Sequence, residues 1–329
     1  MTEPGDLLYH LRDQAEAADL RIRPYASETA LEPVPRWSES LGCRLHLKLE
    51  NQQSSGSFKI RGAANRLLTM PVSQRALGVV SASTGNHGKA VALAAGLLNT
   101  PALVFAPEEA SPTKLDAIRA LGAEVRLHGR DGVESEREAR RFADANGRVY
   151  ISPYNDPQVV TGQATIGVEL SRQLERIDAI FAAVGGGGLV SGVAGYLKSF
   201  RREVTVVGCS AANSAVMHES VRAGRVLDMP STPTLSDGTA GGLEADSITF
   251  PLCRALVDRW ELVSEDQIAE AIPLTLEQTG HLVEGSAAVA VAAARRLARD
   301  FPGGNVVVIV CGGNIDVRTL RDILCGAGA

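Results

Sequence analysis

Three stretches of the chain carry residues arranged for chemistry. The first is "SSGSFKIRG" over 54–62, where Lys59 stands between Phe58 and Ile60 behind Ser54, Ser55, Gly56 and Ser57. A lysine between apolar neighbours is ordinarily a surface residue whose stem lies along a half-buried helix. Partly desolvated, the same amine loses basicity and can condense with a carbonyl compound to an imine. The second is "IFAAVGGGGLVSGVAGYL" over 180–197, an apolar strand, four glycines and a helix. Glycines at such a turn let backbone N–H groups converge on an anion, and the helix start adds its dipole. Phosphate is the natural occupant, because four glycines cost more conformational entropy than a plain turn needs.

The phosphate is not that of a dinucleotide. Counted from Gly185 or Gly186, the sixth place of G-x-G-x-x-G falls on Val190 or Ser191, and the next strand ends in Cys209 and Ser210 rather than a ribose-binding acid. No G-x-x-x-x-G-K-[ST] is present either. The third stretch, "SASTGNHGKAVALAA" over 81–95, repeats the strand–turn–helix design with Ser83, Thr84, Gly85, Asn86 and His87 in the turn. Hydroxyls and N–H groups there suit a carboxylate, or cap the helix with no ligand at all. His87 has no partner at metal-ligand spacing. Cys311 closes the strand of "VVVIVCGGNID", at the end where open α/β sheets place ligands, although a cysteine there is more often core.

Positioning these groups requires alternating strands and helices. Apolar runs at 77–83, 101–107, 123–129, 177–185, 203–210 and 305–313 read as strands buried on both faces, separated by amphipathic or alanine-rich helical stretches. That alternation predicts parallel sheets with helices on both faces. Residues 75–150 hold several strand–helix units, enough for a compact sub-domain. "SPYNDPQV" reads as the loop leaving it, and the turn-rich "PSTPTLSDGTAGG" over 230–242 as a loop over the site.

At 329 residues, 45% hydrophobic and 22% charged, the chain is long enough for two domains with a sizeable core. A net charge of −5 with no basic block argues against nucleic acid and leaves small molecules as the expected ligands. The five cysteines lack metal or disulfide spacing, the N-terminus lacks a basic leader, and no run approaches the ~18 apolar residues of a membrane span. A cytoplasmic location is the expectation, with no membrane partner.

A lysine, a glycine phosphate cup, a carboxylate cup and a strand-end thiol are the parts needed to hold a phosphorylated aldehyde beside an amino acid. The chain resembles the fold-type II pyridoxal-phosphate enzymes of the threonine/serine dehydratase group, whose tryptophan synthase β-like superfamily includes serine racemase. The resemblance spans about 20–320 and rests on "KLENQQSSGSFKIRGA", "SASTGNHGKA", "PYNDPQVVTGQATIGVEL", "VGGGGLVSG", "LVEGSAAVAVAA" and "CGGNID", in the family's order. It implies two doubly wound α/β domains with pyridoxal 5'-phosphate between them: 1–70 plus 155–329 as the large domain and 71–154 as the small one. Lys59 would bind the cofactor and move the substrate's α-proton. Phe58 would lie against the ring, Asn86 would bond its hydroxyl, and Gly185, Gly186, Gly187, Gly188 and Leu189 would bind the phosphate. Cys311, where many dehydratases carry serine, would face the ring nitrogen. Ser83, Thr84, Gly85, Asn86 and His87 would receive the substrate carboxylate, with Tyr154, Asn155 and the loop around Gly241 setting the side-chain pocket.

The implied reaction is β-elimination from a β-hydroxy amino acid, L-threonine or L-serine, giving a 2-oxo acid and ammonia. The alternative is a lyase or racemase for another hydroxy amino acid, such as hydroxyaspartate, phenylserine or a substrate of hydroxyectoine breakdown, which "PTLSDGTAGGLEADSITF" also fits. Thr84 stands where serine racemases carry their second proton carrier, and its hydroxyl could serve. Ser210 and Val216 replace the acids of the racemase cation site, so no metal is expected. A homodimer is expected, and an end at 329 implies no isoleucine-responsive regulatory domain.

Overall fold

The strands, in chain order, are β1 (Leu31–Pro33), β2 (Arg44–Lys48), β3 (Val79–Ala82), β4 (Ala102–Ala106), β5 (Glu124–Leu127), β6 (Val149–Tyr150), β7 (Ala179–Ala183), β8 (Thr205–Ala211), β9 (Arg259–Val263) and β10 (Asn305–Ile309). They come from a computed structural model that describes residues 4–326, with side-chain surroundings from 11 onward. The outermost ends of the expected domain spans, 1–3 and 327–329, lie outside the described residues.

Two sheets result. One runs β1-β2-β10-β7-β8-β9 and is parallel except where β1 meets β2 antiparallel. The other runs β5-β4-β3-β6 and is parallel throughout. The α/β architecture expected from the alternation is therefore the observed one. The central strands β7 and β10 are buried at every position, as runs such as "AIFAA" and "NVVVI" require of a sheet covered by helices on both faces.

Two expectations need correction. The stretch 123–129 does not form a strand buried on both faces. As β5 it is the sheet's edge, where Glu124, Arg126 and Leu127 are exposed and only Val125 is half-buried. An edge strand has one hydrogen-bonding side free and tolerates charge. The last strand also stops short of Cys311, ending at Ile309.

The helix that begins with the lysine, Lys59–Leu68, crosses the helix Pro157–Gln173 with their backbones touching: a Cβ on Gly162 would lie 2.6 Å from Arg61 O and from Gly62 Cα. That closeness lets Arg61 reach across. Its guanidinium is fully buried between Glu50 (Nε–Oε2 2.7 Å, Nη2–Oε1 2.8 Å) and Glu169 (Nη1–Oε1 2.7 Å, Nη2–Oε2 2.9 Å). Lys48, equally buried at the end of β2, reaches Glu169 Oε2 at 2.5 Å. Burial pushes the Glu169 carboxyl up, but the Arg61 and Lys48 charges outweigh it and hold it at about 2.

A carboxyl held below its ordinary 4.5 stabilises the fold above that pH and loses the contribution as pH falls from 4.5 towards about 2. We expect Glu169→Gln to lower the unfolding free energy at neutral pH by about 3–5 kcal/mol, the cost of leaving a buried charge without its partner. The variant should also show a flatter acid limb across that window in denaturant titrations. A wild-type unfolding midpoint and acid limb would contradict the buried-cluster account.

Candidate active site

The serine–glycine run before Lys59 is zipped to the segment beyond β10. Phe58 N–H donates to Cys311 O at 3.0 Å, Ser57 pairs with Gly312 in an isolated antiparallel bridge, and Gly313 N–H donates to Gly56 O at 3.0 Å. Gly56 holds φ +74 against the Asn314 side chain, a conformation and a closeness that only glycine accepts readily. The small residues thus let two segments lie side by side and bring Lys59 to Cys311.

Both line one cavity. Phe58, Asn86, Tyr154, Gly241, glycines 185–188 and Leu189 share it with Lys59 and Cys311, so the structure gathers residues from six separate stretches of sequence. Lys59 Nζ donates to Pro153 O at 3.0 Å. Burial pulls its amine down to about 8, against the opposing influence of Cys311 and Glu284. Burial also pushes the Cys311 thiol well above its usual range; Glu284 adds to this and Lys59 opposes it. At neutral pH the thiol is therefore uncharged.

The glycine turn is built for close approach. Gly187, at φ +82, is the N-cap of the helix Gly188–Lys198, and no side chain caps that start. A Cβ on Gly185 would lie 2.6 Å from Thr239 O, one on Gly187 would lie 2.6 Å from Cys253 Sγ, and one on Gly186 would overlap the Tyr154 ring. Tyr154 is thus a wall of the cup, and its hydroxyl is engaged, accepting from Glu244 N–H at 2.9 Å.

The helix Asn86–Leu97 likewise starts from a glycine, Gly85, with no side-chain cap; Ser83 Oγ accepts from Gly85 N–H at 3.2 Å. Of this turn only Asn86 is among the residues that line the cavity. Ser83, Thr84 and Gly85 lie partly buried beside it. The His87 ring is turned away: buried, held neutral with a pKa of about 3 by burial and by the nearby Lys59, it meets Ile151 O at 2.8 Å through Nε2. A carbonyl only accepts, so Nε2 carries the proton, and the His87 side chain is committed to Ile151 rather than to a carboxylate.

Sequence reasoning assigned no role to Glu284, Ser286 or Asn314. Glu284 and Ser286 are buried and line the cavity. Ser286 Oγ has no hydrogen-bond partner among the described residues. One available signal was the isolation of Glu284, the lone acid in the apolar run "LVEGSAAVAVAA". Among the described residues no three His, Cys, Asp or Glu side chains gather as a metal-binding group.

These features suit pyridoxal phosphate. A helix start without a side-chain cap, behind a cradle that any Cβ would fill, matches a phosphate. A depressed amine matches an aldehyde, and an unpartnered buried hydroxyl matches a polar group not supplied by the chain. The model of the family described as pyridoxal-phosphate dependent enzyme matches residues 22–312, and the chain belongs to that family. Within it, the chain is 40% identical to an L-threonine ammonia-lyase of Geobacter sulfurreducens, over 94% of this chain and 77% of that protein. It is 39% identical to one of Thermotoga maritima, over 95% and 77% respectively. Among solved structures it is similar to the processed form of threonine deaminase isoform 2 from Solanum lycopersicum, with TM-score 0.92 and 35% identity over 98% of this chain and 89% of that one. Maize serine racemase superposes with TM-score 0.87 and 32% identity over 96% and 98%.

Two outcomes follow from this geometry. Gly186→Val should weaken pyridoxal phosphate binding by about tenfold or more, because the new side chain must displace Tyr154 from the cup. Titration of the cofactor-stripped protein measures it, and unchanged affinity would place the phosphate elsewhere. The rate at which stripped protein captures the cofactor should rise with pH to a plateau above about 8, since only the neutral Lys59 amine attacks a carbonyl. A midpoint near 10.5, the ordinary lysine value, would show that the amine is not desolvated.

Proposed function

We propose that the protein is a pyridoxal-phosphate dependent ammonia-lyase that converts L-threonine, and L-serine alongside it, to a 2-oxo acid and ammonia. The observation that carries this reading is the meeting, in one cavity, of a weakly basic Lys59 amine and an uncharged Cys311 thiol. The likeness to L-threonine ammonia-lyases along nearly the whole chain supports it.

When bound, pyridoxal phosphate supplies the carbonyl that takes up the substrate's amino group and the ring that draws electron density from the α-carbon. The residues do the rest. Glycines 185–188 and the helix they open hold the phosphate, and Phe58 and Asn86 orient the ring. Lys59, neutral in part at physiological pH, takes the α-proton and returns it to the departing β-hydroxyl, which leaves as water. The enamine set free then takes up water and releases ammonia and the 2-oxo acid. Cys311 offers a neutral hydrogen bond where a carboxylate would hold a proton on the ring and stabilise lasting negative charge at the α-carbon. With a neutral partner, proton loss and hydroxyl loss proceed together, which favours elimination over racemisation.

The backbone N–H groups at the start of the helix Asn86–Leu97 are assigned to the substrate carboxylate, and the walls around Tyr154 and Gly241 to its side chain. The strands of the four-stranded sheet all lie between 79 and 150, which supports the proposed division into a small domain over 71–154 and a large one made of the rest. A homodimer is proposed as the assembly and the cytoplasm as the location. Among the described residues no helix is long and apolar enough to cross a membrane.

A panel of β-hydroxy amino acids, assayed for 2-oxo acid release, tests the reading: release is expected with L-threonine and L-serine, and release from neither would sink it. Cys311→Ser should keep most of the elimination. Cys311→Asp should raise the ratio of α-proton exchange in heavy water to 2-oxo acid formation. An equal ratio in Cys311→Asp and the unaltered enzyme would show that the thiol does not face the ring.

A further inference from the structure

Asn86 is held at both ends of its amide. Its Nδ2 donates to Glu284 Oε1 at 2.6 Å, and its Oδ1 accepts from Asn314 Nδ2 at 2.6 Å. Asn314 cannot be turned the other way, because the same Nδ2 also donates to Ser55 O at 2.9 Å, and a carbonyl only accepts. Lys89 Nζ approaches Asn314 Oδ1 at 3.4 Å, again a donor meeting the acceptor end. The second carboxylate oxygen of Glu284 accepts the backbone N–H of Asn314 at 2.9 Å, so the acid and its partner hold each other as well.

An asparagine amide is nearly isosteric when flipped, and only its neighbours decide whether nitrogen or oxygen points in a given direction. Here one hydrogen of Nδ2 goes to Glu284 and the other remains for the cavity, which Asn86 lines. We propose that Glu284 is a positioning residue: with Asn314, it fixes the Asn86 amide so that an N–H, and not a carbonyl oxygen, is presented to the bound cofactor. The proposal rests on the reading that Asn86 faces pyridoxal phosphate in this cavity.

The carboxylate form is the one that can only accept. Burial pushes the Glu284 carboxyl up to about 7; Asp237 adds to this, while the Asn86 hydrogen bond, the Asn314 N–H and Lys89 oppose it. Lys59, Cys311 and Tyr154 are the other titratable groups that line the cavity. Around pH 8 Glu284 is predominantly an acceptor and the lock is set. A glutamine in its place cannot accept at both positions: with its oxygen on the Asn314 N–H, its NH2 meets the Nδ2 of Asn86, donor against donor, and drives that amide from its set orientation.

The test is a double-mutant cycle on cofactor affinity, read by titrating stripped protein with pyridoxal 5'-phosphate at pH 8. Glu284→Gln should weaken binding by about tenfold, the scale of one lost hydrogen bond to a charged group. In an Asn86→Ala background the same substitution should change it less than about twofold, because nothing is left to orient. Asn314→Ala should behave in the same way and stands in for Glu284→Gln should that variant fold poorly. A weakening by Glu284→Gln that is as large with alanine at 86 as with asparagine overturns the proposal. An affinity unchanged by Asn86→Ala overturns both the proposal and the reading of Asn86 beneath it.

Discussion

The structure turns on one buried guanidinium. Arg61 lies two residues beyond Lys59 in the same helix and is closed between Glu50 and Glu169, with Lys48 against Glu169. All four side chains have no exposed surface. Two positive and two negative groups sum to zero, so the cluster survives in a low-dielectric interior, yet any packing that separates one member strands a charge at a cost of ~3–5 kcal/mol. Such a cluster adds little to stability when compared with apolar side chains of equal size. What it does is exclude alternatives. It pins β2, the turn at Glu50–Gln52, the helix of the lysine and the helix Pro157–Gln173 in one arrangement.

Everything at the cavity inherits that placement. With the first turn of the helix fixed, Phe58 N–H can donate to Cys311 O and Ser57 can pair with Gly312, which sets the distance between the amine and the thiol just beyond β10. The helix Pro157–Gln173 passes close to the helix Gly188–Lys198 as well, where a Cβ on Gly192 would lie 2.6 Å from Val160 O. The same helix therefore positions both the lysine and the phosphate cup. Its N-cap, Asp156, receives Gln158 N–H at 2.7 Å and also binds Arg66 of the lysine's helix at 2.6 Å. The segment carrying Pro153 and Tyr154 leads directly into that cap, so the carbonyl that meets Lys59 and the ring that walls the glycine turn are held by the same junction.

What could be read in the sequence follows from what is local. β3, β4, β7, β8 and β10 are apolar runs because helices cover them, and runs of that kind are visible without a structure. The glycine turn and Lys59 are equally local signals. β2, β6 and β9 gave no such run: "RLHLK" alternates, "VY" is two residues long, and "RWELV", at a sheet edge, has three charged or aromatic residues in five. The ionic cluster was beyond reach for a different reason. Its members stand at 48, 50, 61 and 169, each an ordinary charged residue in its own stretch, and only the helix crossing at Gly62 and Gly162 brings them together. Glu284 and Asn314 lay inside recognised motifs, yet Asn86, the partner of both, is 198 residues from the first and 228 from the second. The His87 ring is likewise engaged by a distant group, the Ile151 carbonyl 64 residues on, which no local signal announces.

Lys59, and no other amine, is proposed to carry the cofactor. The chain has four further lysines, Lys48, Lys89, Lys114 and Lys198. Lys48 is locked against Glu169, Lys89 stands next to Asn314, and the other two form surface ion pairs with Asp237 and Asp258. Borohydride reduction of the cofactor-loaded protein, followed by peptide mass mapping, assigns the bond directly. One reduced adduct is expected, on the peptide that contains Lys59. An adduct on Lys89 or any other lysine, with Lys59 unmodified, would contradict it.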